Sequence, residues 1–441
     1  MCANQDGVIG VLQIVNAINP DTGEPIPFTD EDNHLLDSLA SQAAIALANY
    51  NLIQAQEELM DSFIKVIAGA IDAKSPYTGG HCERVPELSN MLAEATVNVT
   101  EGPYKNFTFN EEEWKEFKVA GWLHDCGKVT TPEYVVDKDT KLSTIYNRIH
   151  EVRLRFEVLR RDAEIEYLKA SKENPDKDEE LLKTLHKTYE SLDNDFNFVA
   201  ECNVGGEFMS DEYIDRLTRI SKKTWVRNYD DRLGLSEMDL SQLSDIEPAS
   251  LPCTEDLLAD KSEHIIKRTE KTGKNEVFSS TVPMPKYLFN RGELLNLSIR
   301  KGTLTAEDRY IINDHIVQTI IMLKKLPFPP NLKRVTEYAG GHHEKMDGTG
   351  YPMGLTKEEL SIPARIIAIA DIFEALTACD RPYKKTKTLT ESLKIMSFMV
   401  KDQHIDKDLF SLFLETGIYQ QYADKFLNKS QIDEVNIADY L

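Results

Sequence analysis

Hydrophobic and polar positions follow two rhythms along this chain. Residues 8 to 15, Val8-Ile9-Gly10-Val11-Leu12-Gln13-Ile14-Val15, form a β-branched run, and Pro, Gly and Asp crowd residues 18 to 27. That pattern predicts a strand followed by a loop. Thr29-Asp30-Glu31-Asp32 then offers a helix cap with acidic residues in the first turn, and Leu35, Leu36, Leu39, Ala43, Ala46 and Leu47 follow at helical spacing. The spacing predicts a helix continuing through Tyr50 and Ile53 towards Ile71. Helical patterning returns from residue 60 to 155 and from 290 to 430. Residues 156 to 285 are instead highly charged, with the polar run Ser171-Lys172-Glu173-Asn174-Pro175-Asp176-Lys177 and many Lys and Glu positions at helical spacing. They read as an inserted helical hairpin with a loop-rich continuation.

Composition narrows the class. A chain of 441 residues with 41% hydrophobic content can bury a large core and is long enough for more than one unit. No apolar stretch reaches the ~20 residues of a membrane span, and Met1-Cys2-Ala3-Asn4-Gln5-Asp6 lacks the features of a secretory signal, so a cytoplasmic location is expected. The six cysteines are widely spaced without a C-x-x-C pair, which suits reduced thiols. A formal net charge of −23 argues against binding DNA or RNA polymers. A small anion needs only a local cationic pocket, and bound divalent metals supply such a field.

Histidine and aspartate carry the chemistry. Phe117, Ala120, Gly121 and His124 share one helical face, so His124 points inward, with Asp125 beside it and Gly127 and Lys128 just after. Taken alone, that pair reads better as a core histidine with a capping aspartate. Leu332, Val335, Ala339 and His342 form a second stripe, followed by His343 and the Gly-containing stretch Glu344 to Pro352. Ile311, Ile312, His315 and Ile316 place His315 on a buried face, and Ile366, Ile367, Ala370, Asp371 and Ala375 place a lone carboxylate in an apolar helix. A buried ionised aspartate costs several kcal/mol unless it is paired or bound to metal. Several helices turning polar groups inward therefore favour a metal centre over core packing. Nitrogen and oxygen donors without thiolate suit iron or manganese better than structural zinc.

Five ordered motifs resemble the HD-GYP branch of the HD phosphohydrolases: Gly80-His81-Cys82-Glu83-Arg84-Val85, His124-Asp125-Cys126-Gly127-Lys128, Gly302-Thr303-Leu304-Thr305 to His315, His342-His343-Glu344 to Gly350-Tyr351-Pro352, and Ala370-Asp371 to Arg381-Pro382-Tyr383. Residues 7 to 53 resemble the C-terminal half of a GAF domain, through Gly10-Val11-Leu12-Gln13-Ile14-Val15-Asn16 and Phe28-Thr29-Asp30-Glu31-Asp32. Only half of such a domain is matched, which leaves open a longer parent protein or a half-domain that pairs with a partner. The expected fold is mainly α, an HD-domain helical bundle preceded by an α+β partial GAF segment. The expected boundaries are 1–53 for that segment, 54–155 and 290–430 for the two parts of the HD-GYP domain, 156–289 for the insertion and 431–441 for a tail.

The resemblance implies hydrolysis of cyclic di-GMP to linear pGpG, and in some members on to GMP. It also implies two divalent ions. His81, His124, Asp125 and Asp371 would hold one, and Asp125 as bridge with His315, His342 and His343 the second. Asp125 and Lys128 are the implied catalytic residues. Lys128, Tyr351, Arg381 and Lys384 would contact substrate. Some members use a glutamate one turn before the first histidine for a third metal; Tyr77 stands there, so two metals are expected. The long insertion makes His150 an alternative to His315, and the spacing from Leu304 favours His315. A lid or a dimer contact is a reasonable role for the insertion, and a homodimer through the N-terminal helix is expected. Two readings compete: an HD-type phosphohydrolase acting on another nucleotide or cyclic dinucleotide, and a catalytically silent cyclic di-GMP-binding effector.

Overall fold

A computed structural model describes residues 2–4, 7–74, 80–269, 280–378 and 386–441, with side chains from residue 10 onward. It divides into two compact units, Met1–Ile67 and Ala68–Leu441.

In the first unit, β1 (Cys2–Asn4) pairs antiparallel with β2 (Gly7–Gly10), and β3 (Ala17–Ile18) with β4 (Pro25–Ile26). The strand predicted over 8 to 15 is thus confined to 7–10. Residues 11 to 16 have strand propensity but no ladder partner among the described residues, and Val11, Leu12, Ile14 and Val15 lie exposed. The helix predicted after Thr29 is α1 (Asp30–Lys74). Its start is pinned by a reciprocal cap: the Asp32 carboxylate accepts from Thr29 N–H at 2.8 Å, and the Thr29 hydroxyl accepts from Asp32 N–H at 3.2 Å.

The second unit is helical. Its first part holds α2 (His81–Val97), α3 (Glu111–Leu123) and the short α4 (Glu133–Val136). The central segment holds α5 (Ile149–Glu173), α6 (Asp178–Val204), α7 (Asp211–Ser221), β5 (Thr224–Arg227), α8 (Glu237–Gln242), β6 (Cys253–Asp256), β7 (Ile265–Lys267) and β8 (Tyr287–Asn290). After it come α9 (Glu293–Leu297), α10 (Ala306–Lys325), α11 (Val335–Gly340), α12 (Ile362–Thr377), α13 (Leu389–Lys401), α14 (Lys407–Glu415) and α15 (Ile418–Phe426). Helix α12 packs on α2, α11 on α3, and α10 on both α11 and the 3-10 turn Cys126–Thr130. Capping boxes at Asn110/Glu113 and Thr305/Asp308 fix where α3 and α10 begin, and therefore which residues face inward one to three turns later. Ala375 departs from its predicted stripe and is exposed, whereas Phe373 and Glu374 beside it are buried.

The central segment has a core of its own, built from Ile149, Val152, Phe156, Leu192, Val199, Leu217 and Leu257 among others. Helices α5 and α6 form an antiparallel hairpin in which Phe156 meets Phe196 and Arg160 meets Asp193. Buried charge ties the hairpin to α9. Fully buried Glu293 accepts two bonds from Arg155, at 2.7 and 2.9 Å, one from Arg148 at 3.1 Å and one from Ala259 N–H at 3.1 Å. Burial pushes its carboxyl pKa up, but Arg155 and Arg148 outweigh that and hold it below the usual range. Glu293→Ala strands two arginines that are themselves largely buried, and is expected to lower unfolding free energy by about 3–5 kcal/mol in denaturant titration. A change below about 1 kcal/mol would mean the ion cluster carries no stability.

Candidate metal centre

The chain folds so that distant histidines converge on Asp125. His81 opens α2, His124 closes α3 with Asp125 next to it, His315 lies in the third turn of α10, His342 and His343 follow α11, and Asp371 lies in α12. Two donor sets result, His81 with His124, Asp125 and Asp371, and His315 with His342 and His343. Within each set the donor atoms lie within 4.8 Å of one another. Asp125 sits between them. Its Oδ2 is 3.1 Å from His81 Nε2 and 3.2 Å from His124 Nε2, while its Oδ1 is 3.2 Å from His315 Nε2 and 3.9 Å from His342 Nε2.

The tautomers explain why these rings are available as donors. His124 Nδ1–H is directed at the Gly121 carbonyl at 2.7 Å, His315 Nδ1–H at Ile312 at 2.5 Å and His342 Nδ1–H at Ala339 at 2.7 Å. Each backbone bond commits Nδ1 to its proton, which turns the Nε2 lone pair towards the centre. His81 is held through Nδ1 as well, by Glu374 Oε2 at 2.5 Å. His343 Nε2 approaches His315 Nε2 at 3.2 Å.

The residues fit a metal on a direct observation. His124 Nε2, His342 Nε2 and Asp125 Oδ1 are buried and have no hydrogen-bond partner, although other polar atoms lie close by. Polar atoms sealed from water at this cost are otherwise rare. Close approach without hydrogen-bond alignment is what ligands aimed at a shared cation display. Electrostatics agree at His342 and His343. Burial, then neighbouring His124, holds the His342 pKa down at about 4, and burial with His342 and His315 holds His343 well below its usual value. Both rings stay neutral, as donors must. Burial lifts the Cys82 thiol well above its usual range and pushes Cys126 up to about 11, so neither supplies a thiolate.

Lys128 lies on the turn after Asp125 and hydrogen-bonds its Oδ2. Burial opposes its charge, but Asp125 and Asp371 outweigh burial and raise its pKa. For Asp125 burial pushes up, and Lys128 and His124 bring its pKa well below the carboxylate range. Tyr351 stacks on the His343 ring, with centroids 4.9 Å apart and planes 18° from parallel. Its loop is shaped by Gly350, where a Cβ would fall 2.3 Å from Lys345 N, and is gripped by the buried Glu344 carboxylate, which accepts from Met353 N–H at 2.6 Å and Leu355 N–H at 2.9 Å. Arg381, Lys384 and Tyr77 lie outside the described residues. His150 is exposed at the start of α5, where it pairs with Arg153, and is not part of the cluster.

Pattern reading missed Glu374. It lies one turn after Asp371, buried, and its carboxylate joins His81 to Arg84, whose Nε is 2.7 Å from Oε1. An acid within the apolar run Ile372-Phe373-Glu374-Ala375-Leu376 was the available signal. Burial alone would raise its pKa, but His81 and Arg84 bring it to about 2. Glu374→Gln removes the charge that orients His81 and is expected to weaken metal affinity by about 10- to 100-fold in a competitive chelator titration. Unchanged affinity would make the contact incidental.

Parts of this chain resemble known proteins. A family model described as HD domain matches residues 252–409, a stretch that includes His315, His342, His343 and Asp371 but not His81, His124 or Asp125. The chain is 44% identical over 88 residues to the 3′3′-cGAMP-specific phosphodiesterase 1 of Vibrio cholerae, covering 20% of each protein. It is 43% identical over 79 residues to a cyclic di-GMP phosphodiesterase of Pseudomonas aeruginosa, 18% of each. Against a cyclic di-GMP phosphodiesterase of Thermotoga maritima it is 34% identical over 128 residues, 28% of this chain and 34% of that protein. The chain thus spans between 18% and 34% of the length of these three relatives. No helix among the described residues is long and apolar enough to cross a membrane. Over residues 252–409, then, this chain is similar to an HD domain, a helical fold, and the residues that fold beside that stretch complete a His/Asp cluster fit for metal.

Proposed function

We propose that this chain is a metal-dependent phosphodiesterase that hydrolyses cyclic di-GMP to linear pGpG. The observation that carries the reading is the set of Nε2 lone pairs, freed by backbone-locked Nδ1 protons and directed at both oxygens of Asp125. In this reading His81, His124, Asp125 and Asp371 hold one divalent cation, and His315, His342 and His343, with Asp125 as bridge, hold the second. Iron or manganese suits the donors. When bound, such a pair lowers the pKa of water and neutralises phosphoryl oxygens. The chain's own residues do the rest. Lys128, already drawn to Asp125, offers its ammonium to a phosphate oxygen. Tyr351 forms a wall of the substrate site, and Arg381 and Lys384 contact the nucleotide. The names of the relatives support a cyclic dinucleotide, and their division between cyclic di-GMP and 3′3′-cGAMP makes the choice of substrate a matter for assay.

The first 53 residues are proposed as the second half of a GAF-like segment, with 54–155 and 290–430 as the two parts of the hydrolase domain around a 156–289 insertion; limited proteolysis that cuts elsewhere would redraw these limits. The chain is proposed to pair with a second copy through α1. Leu36, Leu39, Ala43, Ala46, Tyr50 and Ile53 fall on a 3-4 heptad spacing, and Leu39, Tyr50 and Ile53 are exposed. A monomeric mass by light scattering would contradict that.

The experiment is hydrolysis of cyclic di-GMP and 3′3′-cGAMP by anaerobically purified protein whose metal has been quantified. Two metals per chain with turnover of cyclic di-GMP are expected. Metal without turnover of either compound would overturn the proposed activity, and protein that takes up no divalent metal would overturn the centre.

A further inference from the structure

The central segment comes back towards the metal centre near its end. Residues 280–282 pass the loop that carries Tyr351. Thr281 N–H donates to the Pro352 carbonyl at 2.8 Å, and the Thr281 hydroxyl lies 3.3 Å from both the Gly350 and the Pro352 carbonyl oxygens. These two carbonyls flank Tyr351. The Thr281 methyl fills the space beside Gly354, whose φ is +72° and where a Cβ would lie 3.2 Å from it. On the other side, Glu344 grips Met353 and Leu355, and the His343 carbonyl accepts from Tyr351 N–H at 3.2 Å. The loop is therefore held between its own glutamate and a residue foreign to the surrounding helices.

The brace is itself anchored. Downstream of Thr281, the Pro285 carbonyl accepts from Arg268 Nε at 3.0 Å, and the Arg268 guanidinium lies 4.8 Å from the centre of the Tyr310 ring on α10. β8 then pairs with β7 and packs against α10, the helix that carries His315. One edge of the central segment thus touches both the helix that supplies a histidine and the loop that supplies the aromatic wall.

We propose that Thr281 is a positioning residue. It fixes the carbonyls on either side of Tyr351, keeps the ring stacked on His343, and so makes the central segment a determinant of substrate affinity. This rests on the reading above, in which Tyr351 lines the substrate site. A carbonyl loses a partner when the hydroxyl is removed, and hydrogen bonds of this kind shift an equilibrium by about threefold to tenfold.

The test compares Thr281→Val and Thr281→Ser with the parent chain in two readouts. Amide hydrogen exchange of the peptide spanning residues 348–355 needs no catalysis. It is expected to quicken about threefold to tenfold in T281V and to stay at the parent rate in T281S. In cyclic di-GMP hydrolysis, KM is expected to rise by a similar factor in T281V, with kcat and metal content unchanged and KM recovered in T281S. Exchange that is equal in all three proteins would overturn the brace. Faster exchange with an unchanged KM would overturn its role in affinity. If the parent chain does not turn over cyclic di-GMP, it is the activity reading that fails, while exchange still decides whether Thr281 braces the loop.

Discussion

Asp125→Asn should abolish hydrolysis and strip the metal together. Among the described residues, Asp125 is the one carboxylate approached by donors of both sets, with His81, His124 and His315 between 3.1 and 3.2 Å from its oxygens and Lys128 bonded to the same group. The amide keeps the shape and loses the charge. One effect falls on the cations, since an amide cannot bridge two of them as a carboxylate does. The other falls on Lys128, whose raised pKa depends first on Asp125 among its neighbours. Turnover is expected to fall by at least about 10²–10³-fold, the scale for losing one preorganised electrostatic partner, and bound metal to fall below one per chain. A variant that retains both its metal and its rate would show that Asp125 is not the bridge.

Gly127→Ala should be the most damaging small change to the fold near the site. The turn Cys126–Thr130 lies so close to α10 that a Cβ on residue 127 would fall 1.9 Å from the His315 carbonyl oxygen and 2.5 Å from Thr319 N. Both are backbone atoms in a packed helix, and neither can rotate aside. Gly127 N–H also donates to the Thr319 hydroxyl at 2.8 Å, so the turn and the helix must separate for the methyl group to fit. Overpacking of a core costs about 1–3 kcal/mol where side chains can yield, and here the expected loss is at the upper end or beyond. The same displacement would move His315 away from Asp125, so metal retention should fall with the unfolding midpoint. Stability within about 0.5 kcal/mol of the parent, the range of an ordinary surface substitution, would mean that α10 is free to shift.

The inward placement of His124, His315, His342 and Asp371 was legible because each shares a helical face with apolar residues. Phe117, Ala120 and Gly121 announce an inward His124, and Ile316 accompanies His315 to the same buried side. Their convergence on Asp125 was not legible from periodicity, which orients a side chain but does not say which helix it meets. Family resemblance supplied that step. Glu374 escaped notice, and Arg84 was seen only as part of a motif, because their roles lie in a three-way contact with His81 across α2 and α12. The stripe drawn through Asp371 to Ala375 was correct in its first members and failed at its end, where the buried position is taken by Glu374.

Helix α1 could be read from its cap and spacing, since capping is local chemistry between Thr29 and Asp32. The strand over 8 to 15 was overestimated because propensity counts residues and a ladder requires a partner, which β1 offers only to 7–10. The central segment was the least legible part. Its charge pattern suggested a hairpin, but nothing local shows that Arg148 and Arg155 are spoken for by Glu293, or that Thr281 returns to Tyr351. Those contacts join residues far apart in the chain and leave no periodic trace.

The most direct measurement of the central claim is anomalous scattering from crystals of the chain grown with manganese. The account predicts two peaks that share Asp125, one among His81, His124 and Asp371 and the other among His315, His342 and His343. Ordered crystals in which those two positions carry no anomalous signal would contradict it.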